Sequence, residues 1–402
     1  MLDDAPQKTN IKLRKAARSR LKVLVLFGTR PEVIKLAPVI HELKKNFSQT
    51  IIISSSQHKE LLKPFLKIFN IETDFDLGVM KKNRTPNEVC SRVLAKLDKI
   101  LEAEKPDLIL VQGDTTTTLA GALAGFNRKI PVAHIEAGLR SGNISSPFPE
   151  ELNRRLVSNI AAFHFAATER NRQNLLAERV SDEEIFVTGN TVVDALHGIL
   201  KNLKPSENIG RLLARTAGKK LILLTTHRRE SFGEAMGENL QTLRGFVEKR
   251  KDVGLIFPVH PNPNVRKTTN EILAGIENVH LLEPRGYIDF IAVMKAAWLL
   301  VSDSGGVQEE APSLGKPLLI LRENTERPEA IHSGTAKLVG GNPHSLKFML
   351  EENYADETWI KSVRQIANPF GDGKSARRIV KIIKEKFGAN AVLRTVQKRK
   401  SV

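Results

Sequence analysis

The chain has 402 residues, which is enough for two domains that each bury a core. Its composition, 41% hydrophobic and 27% charged residues, is typical of a globular protein, and no apolar run approaches the roughly 18–20 residues that span a bilayer. About half of the net charge of +17 lies in the tails (residues 1–22 and 394–402), and few aromatic residues could stack on bases, so the body suits an anionic small molecule at least as well as a nucleic acid.

Short apolar runs alternate with longer helical patterns along the whole chain. The runs lack the alternation of half-exposed strands, which is typical of strands covered on both faces. With helices between them they predict βαβ units and two parallel sheets, an α/β fold of two doubly wound domains around a cleft. The predicted strands are 23–27, 50–54, 108–112, 131–135, 164–167 and 185–189 in the first half, and 221–226, 254–259, 279–283, 298–302, 317–321 and 336–340 in the second.

The boundary between the two domains is predicted from composition. The segment KNLKPSENIG (201–210) has the proline, glycine and polar content of a linker, so the boundary is expected between Gly189 and Lys220. We assign residues 21–189 to the first domain and 190–377 to the second.

The N-terminal extension and the single cysteine indicate where in the cell the protein is expected. Residues 1–20 are basic, but the charged stretch leads into only five apolar residues, too few for a signal peptide. Cys90 excludes an intrachain disulfide and fits a reducing compartment. We therefore expect a cytoplasmic protein without membrane association, whose basic extension is flexible.

Acids and a histidine follow several predicted strands. Asp114, Glu136 and His227 come at strand ends, and Glu150 lies on the proline-rich loop after Glu136. Each acid alone is more simply a helix cap or an ion-pair partner. Since ligands bind beyond the carboxyl ends of such strands, their convergence favours proton transfer, and we expect crowding and burial to raise the carboxylate pKa values.

Two other segments predict an anion site. In GTRPEVIK (28–35) a helix starts directly after a strand, so backbone N–H groups, Arg30 and Lys35 are expected to face an anion. In SDSGGVQEE (302–310), Ser304, Gly305 and Gly306 allow backbone approach to a phosphate, and Glu310 is placed to accept hydrogen bonds from a ribose. No Walker pattern and no zinc-type cluster of His and Cys is present, so no metal is predicted.

Ten segments in order resemble the motif series of the non-hydrolysing UDP-N-acetylglucosamine 2-epimerase family. They are FGTRPEVIKLAPVI, QGDTTTT, HIEAGLRS, PFPEELNRR, VTGNTVVDAL, THRRESFG, PVHPNPNV, SDSGGVQEEAPSLGKP, ENTERPEA and NPFGDGKSA. The resemblance implies a GT-B-like fold of two Rossmann-like domains, with a C-terminal helix at about 378–395 returning to the first domain. It implies reversible, cofactor-free epimerisation at carbon 2 of UDP-N-acetylglucosamine, through elimination and re-addition of UDP and a bound 2-acetamidoglucal, for surface-polysaccharide precursors.

The resemblance also assigns residues. Its acid/base positions are Asp114, Glu136, Glu150 and His227, and we hypothesise that Asp114 is the base and that Glu136 or Glu150 returns the proton. The UDP and substrate positions are Arg30, Lys35, Arg140, Arg155, Ser304, Gly305, Gly306 and Glu310. The positions of an activating second UDP-N-acetylglucosamine are Gln57, His58 and His260, although Glu60 departs from the family pattern there. A homodimer is implied as well.

Three alternatives stay open at this point. A GT-B glycosyltransferase would use one base and an acceptor surface rather than three carboxylates. A hydrolysing epimerase would release N-acetylmannosamine and UDP, but the THRRE and PEELNRR segments favour the non-hydrolysing type. A nucleic-acid-binding role would rest on the basic tails. Plain N-acetylglucosamine and modified sugars both remain candidate substrates.

Overall fold

The computed structural model describes residues 19–56, 59–79, 84–226 and 234–399. Thirteen strands within these ranges form two sheets, and every pairing is parallel. The first sheet has the order β3-β2-β1-β4-β5-β6-β7, from β1 (Ser19–Phe27), β2 (Phe47–Ser54), β3 (Phe75–Asp76), β4 (Leu108–Gln112), β5 (Val132–Ala137), β6 (Phe163–Ala166) and β7 (Ile185–Val187). The second has the order β10-β9-β8-β11-β12-β13, from β8 (Lys220–Thr225), β9 (Val253–Pro258), β10 (Val279–Leu282), β11 (Leu299–Ser302), β12 (Leu318–Ile320) and β13 (Ala336–Leu338).

Sixteen α-helices accompany the strands in the same ranges. They are α1 (Arg30–Asn46), α2 (Lys59–Ile68), α3 (Pro86–Glu104), α4 (Thr116–Asn127), α5 (Glu150–Ile160), α6 (Glu169–Ala177), α7 (Thr191–Leu200), α8 (Glu207–Arg215), α9 (Glu234–Glu248), α10 (Pro263–Leu273), α11 (Tyr287–Ala296), α12 (Gly305–Glu310), α13 (Pro328–His332), α14 (Pro343–Ala355), α15 (Thr358–Ser362) and α16 (Ser375–Arg399). None of these described helices combines the length and apolar character that a membrane crossing requires.

All twelve predicted strands are confirmed, and so is their arrangement in two parallel sheets. All five residues of β4 are buried, which explains why the apolar runs do not alternate with polar positions. Only β3 was missed, because a strand of two residues carries no recognisable pattern.

Local sequence fixes the start of the helices that follow the central strands. Thr29 caps α1 in a capping box with Glu32, and Pro31 lies in the first turn, where its missing N–H costs nothing. Thr115 caps α4 by accepting a hydrogen bond from the Thr118 backbone N–H. The cap of α4 is therefore Thr115 and not Asp114, which leaves the Asp114 side chain to other contacts.

The two sheets are joined through a shared apolar core. The centroids of the Phe65 ring on α2 and of the Phe69 ring directly after it lie 5.8 and 6.1 Å from the centroid of the Tyr287 ring on α11. Helix α16 packs against α1 and α7, with Ile379 and Val380 buried in the same core. The C-terminal helix thus returns to the first half of the chain, and α7 contacts both α1 and α12 of the second half.

Candidate functional site

Glu136 occupies a distorted position near the end of β5. Its φ angle is +65°, and the pairing of β5 with β6 shifts register between Ile135 and Ala137, so Glu136 is the extra residue of a bulge. The sequence predicted that the strand ends before Glu136, but β5 continues to Ala137. A bulge turns the side chain out of the regular pleat, and here it directs a buried carboxylate toward the carboxyl edge of the sheet.

Three donors hold the Glu136 carboxylate. The Lys35 ammonium and the Gln112 side-chain amide each donate to one of its oxygens, and the Asn190 amide donates over 3.1 Å. Burial alone would raise the pKa of Glu136, but the charges of Lys35 and Arg327 outweigh it and keep the pKa below its usual value. The expectation that crowding raises the carboxylate pKa values is therefore wrong for Glu136. Its surroundings hold it ionised.

Lys35 connects the two halves of the molecule. Its ammonium contacts Glu136 from the first half and lies 3.1 Å from a carboxylate oxygen of Glu309 on α12. Glu309 also accepts a 2.6 Å hydrogen bond from Nε of Arg327. A Cβ atom at Gly305 would stand only 2.6 Å from the Arg327 guanidinium, so glycine is required where the helix meets that side chain. The result is a buried, alternating chain of acids and bases across the cleft.

Asp114 lies on the neighbouring loop, after β4. One of its carboxylate oxygens contacts Arg154 at both Nε (2.9 Å) and a terminal nitrogen (2.8 Å), and Asn153 donates to its backbone carbonyl. Both partners belong to the first turns of α5, and Glu150 is the first residue of that helix. Two of the predicted acids, Asp114 and Glu150, thus lie on a loop and a helix start that contact each other.

The two remaining arginines predicted from the first half have protein partners. Arg140 is half-buried and forms a two-bond ion pair with Glu178, with a further hydrogen bond to Ser158. Arg155 is partly exposed and pairs with Glu151 at 3.4 Å. Neither pairing connects to the Lys35 chain, and a substrate role for these two arginines stays a prediction.

The predicted anion segment of the second half lies at the carboxyl end of β11. Ser304 precedes α12, and Gly305 and Gly306 are its first residues, as the sequence indicated. Glu310 accepts a 2.6 Å hydrogen bond from the Tyr287 hydroxyl, and burial raises the pKa of Glu310 to about 7.

The anion segment of the first half is only partly as expected. Arg30 is exposed, with its guanidinium 5.6 Å from the centre of the Phe65 ring. The backbone N–H groups of Gly28 and Thr29, however, donate to the Glu32 carboxylate. These two amides are occupied by the protein itself, and binding of an anion by other N–H groups of this helix start stays a prediction.

A cavity of about 370 Å³ lies at the carboxyl edge of the second sheet. Its floor is apolar, from Leu224, Met236 and Leu240 among others, and Ser146 from the loop before Glu150 forms part of its rim. His260 follows β9, where its Nδ1 accepts from the Asn262 N–H at 3.3 Å. Predicted residues Gln57, His58 and His227 lie outside the described residues.

Several residues of this network were not singled out from the sequence: Gln112, Arg154, Asn190, Tyr287, Glu309 and Arg327. All but Tyr287 stand inside the ten segments that carry the family resemblance. Their position in those segments was the available signal, but their pairing depends on elements that are distant in sequence. In the described residues, no cluster of three or more His, Cys, Asp or Glu could hold a metal ion.

Two parallel-sheet domains with charged groups at facing carboxyl edges define a GT-B-like, two-domain Rossmann-like protein. The profile of the family described as UDP-N-acetylglucosamine 2-epimerase matches residues 41–384. The chain is 46% identical over 371 residues to the UDP-N-acetylglucosamine 2-epimerase of Salmonella typhimurium, covering 90% of this chain and 98% of that protein. It is 44% identical to the enzyme of that name from Bacillus subtilis, covering 92% and 96%.

The fold of this chain is also that of solved epimerases. A crystal structure of UDP-GlcNAc 2-epimerase from Neisseria meningitidis bound to UDP-GlcNAc superposes with a TM-score of 0.85 at 43% identity, covering 91% of this chain and all of that one. The chain therefore belongs to the non-hydrolysing UDP-N-acetylglucosamine 2-epimerase family. The predicted family, its isomerase class and the GT-B-like fold are confirmed.

Proposed function

We propose that the protein interconverts UDP-N-acetylglucosamine and UDP-N-acetylmannosamine by eliminating and re-adding UDP through a bound 2-acetamidoglucal. The observation that carries the proposal is the buried Glu136 carboxylate, held by three donors where the two halves meet, with Asp114 on the next loop. Family relatives at about 45% identity carry the name of this activity. The reaction needs no external oxidant or reductant, and its product is a precursor for surface polysaccharides.

The chemistry explains why several acids are needed. The proton at carbon 2 is weakly acidic, and departure of UDP builds positive charge at carbon 1, which makes that proton easier to remove. The site must stabilise a leaving diphosphate and exchange a proton on either face of the sugar ring. An ionised Glu136 stabilises the positive ring, and Asp114 is placed on the adjacent loop to act as the base.

Lys35 couples UDP binding to the state of Glu136 in this proposal. Arg30 and the Ser304–Gly306 segment bind the diphosphate, which also attracts the Lys35 ammonium. As Lys35 moves toward the phosphate, Glu136 loses the larger of the two charges that lower its pKa, so burial counts for more toward its protonated form while Arg327 still opposes it. Glu136 then takes up a proton from water and delivers it to carbon 2 as UDP adds back at carbon 1, while Asp114 releases to water the proton that it removed; Glu150 is the alternative donor.

Proton NMR in deuterated water tests the proposal directly. Incubation with UDP-N-acetylglucosamine is expected to give UDP-N-acetylmannosamine with deuterium at carbon 2. Free N-acetylmannosamine with UDP would instead indicate the hydrolysing reaction. If deuterium exchanges into a modified sugar nucleotide but not into UDP-N-acetylglucosamine, the substrate is the modified sugar. Transfer of the sugar to an added acceptor would indicate a glycosyltransferase. Glu136→Gln with unchanged turnover would refute the role given to Glu136.

We also propose a homodimer formed through the α4–α5 face. Phe148, Leu152 and Leu156 recur every four residues on one side of α5 and its approach, and they are 72%, 38% and 41% exposed. Phe126 at the end of α4 is 63% exposed. Light scattering is expected to give the mass of a dimer for the wild-type protein. The double variant Leu152→Glu, Leu156→Glu is expected to have the mass of a monomer. Phe348→Glu, a similarly exposed aromatic position on α14, is the matched control and should leave the dimer intact.

The domain division and the location are part of the same proposal. We propose that residues 21–189, with the helix at about 378–395, form the first domain, and that residues 190–377 form the second. A cytoplasmic location fits the lone cysteine and the nucleotide-sugar substrate. Fractionation of the native host, followed by immunodetection, tests the location.

A further inference from the structure

Glu32 is a buried carboxylate that the proposed chemistry does not use. It is the third residue of α1 and only 1% exposed. One of its oxygens accepts from the N–H of Gly28 (3.0 Å), the N–H of Thr29 (2.6 Å) and the Thr29 hydroxyl (2.7 Å). The other lies 2.9 Å from the hydroxyl of Thr115 and 3.1 Å from that of Thr118. The first set of bonds is local to α1, whereas the second reaches a different loop.

A second helix of the chain shows which of these bonds exceed ordinary capping. Thr85 and Glu88 form the same capping box at the start of α3, where Glu88 accepts from the Thr85 N–H (2.8 Å) and hydroxyl (3.2 Å). That box is exposed, and its described hydrogen bonds stay within one turn. Capping therefore accounts for only one oxygen of Glu32, and the contacts to Thr115 and Thr118 need another explanation.

The partners of the second oxygen lead to the proposed catalytic groups. Thr115 directly follows Asp114 in the loop after β4. The Thr118 hydroxyl also lies 2.7 Å from the backbone carbonyl oxygen of Gln112, so its single hydrogen is shared between that oxygen and Glu32, and the Gln112 side chain donates to Glu136. Through these contacts, Glu32 fixes the end of β4 and its loop against the start of α1.

We infer that Glu32 is a positioning residue that sets the loop of Asp114 and the side chain of Gln112 relative to Arg30 and Lys35 on α1. The inference rests on the proposed function. By filling the amides of Gly28 and Thr29, Glu32 also makes the turn before α1 a closed structural element, so the substrate diphosphate is bound by side chains of α1 and by the second half.

Glutamine at this position is expected to weaken positioning without removing the cap. The backbone N–H groups of Gly28 and Thr29 can only donate, so the amide oxygen of the glutamine keeps these hydrogen bonds. The NH2 group of the glutamine then faces the hydroxyls of Thr115 and Thr118. The hydroxyls of Thr115 and Thr118 can accept hydrogen bonds from this NH2 group. The orientation in which the Thr118 hydroxyl contacts both Glu32 and the Gln112 carbonyl then changes. Small displacements of reacting groups cost rate more than affinity, up to about 100-fold for about 1 Å. We expect Glu32→Gln to reduce kcat about 10- to 100-fold and to change UDP affinity less than about threefold.

The experiment compares Glu32→Gln with the matched capping-box variant Glu88→Gln. Turnover is followed by NMR, UDP affinity by calorimetry and folding by thermal unfolding. Glu88→Gln is expected to keep the wild-type kcat. A wild-type kcat for Glu32→Gln, or a loss of kcat matched by an equal loss of UDP affinity, would overturn the inference. Inactive wild-type protein would instead refute the proposed function, so the two failures are distinguishable.

A second pair of variants leaves the cap of α1 untouched. Thr118→Val removes the hydroxyl that joins Glu32 to Gln112, whereas Thr118→Ser retains it. We expect Thr118→Val to lower kcat with little change in KM, and Thr118→Ser to restore most of the rate. Equal rates for the two variants would show that packing, and not the hydroxyl, matters at this position, and would contradict the inference.

Discussion

Two buried histidines of the first sheet predict that the protein loses stability in acid. His134 on β5 and His164 on β6 are direct register partners, and neither is exposed. Nε2 of His134 lies 2.7 Å from the carbonyl oxygen of Gly113 and donates to it. Burial lowers the pKa of each histidine to about 4, and the charge of Arg140 adds to this effect for both. The folded protein therefore holds both imidazoles neutral.

The sign and size of the pH effect follow from linkage. In the unfolded chain each histidine takes up a proton below about pH 6.5, whereas in the folded chain it does so only below about pH 4. The folded protein therefore keeps its full stability at pH values above the histidine pKa of the unfolded chain. It loses stability as the pH falls toward the lower pKa of the folded chain. Between about pH 7 and pH 5 the loss is on the order of 2 kcal/mol per histidine.

Other groups titrate in the same interval, so the test compares variants. Glu310, whose pKa is raised to about 7, gains protons on folding and adds stability as the pH falls, which opposes the histidines. This contribution is common to wild type and variant and cancels in the difference. His164→Gln is expected to remove about half of the histidine-dependent loss, and His134→Gln with His164→Gln nearly all of it.

Urea unfolding followed by far-UV circular dichroism, at about pH 7 and pH 5, measures these differences. The matched control is His344→Gln at an exposed histidine of α14, which should leave the wild-type pH dependence unchanged. If the double variant loses as much stability on acidification as the wild type, the buried imidazoles are not the source of the effect. The reasoning from burial to acid lability would then be refuted.

Three further substitutions probe the charged chain and the packing of α4. Lys35→Met removes the cation that the buried carboxylates of Glu136 and Glu309 share. We expect the free energy of unfolding, measured with a chemical denaturant, to fall by about 3 kcal/mol. A fall of less than about 1 kcal/mol would contradict the view that Lys35 offsets both charges. Gly121→Val adds a Cβ atom that would lie 2.5 Å from a leucine methyl of β1, so we expect about 1–3 kcal/mol of destabilisation. Gly198→Ala on α7, where nothing lies within 4 Å of the added atom, should stabilise slightly, and equal effects of the two glycine substitutions would refute the packing argument.

Local sequence determined the elements and the family of this protein. A parallel strand buried on both faces, such as β4, needs an apolar run whatever its neighbours are, and a helix start needs a cap such as Thr29 or Thr115. Such signals depend on residues a few positions apart, which is why the twelve strands and the two parallel sheets were predictable. The ordered motif segments identified the family for the same reason, because each is a short contiguous pattern.

The electrostatic state of the site was decided only by tertiary structure. The sequence placed Glu136 at a strand end, but the bulge that aims it depends on its register with β6. Its ionised state depends on Lys35 from α1 and on Arg327 from the second half of the chain. A pKa reflects the sum of burial and of charges brought close by folding, and no local pattern carries that sum. The sequence therefore predicted several of the groups at the cleft, such as Glu136 and Lys35, and the packing of distant elements decided which partners they meet and which of them stay charged.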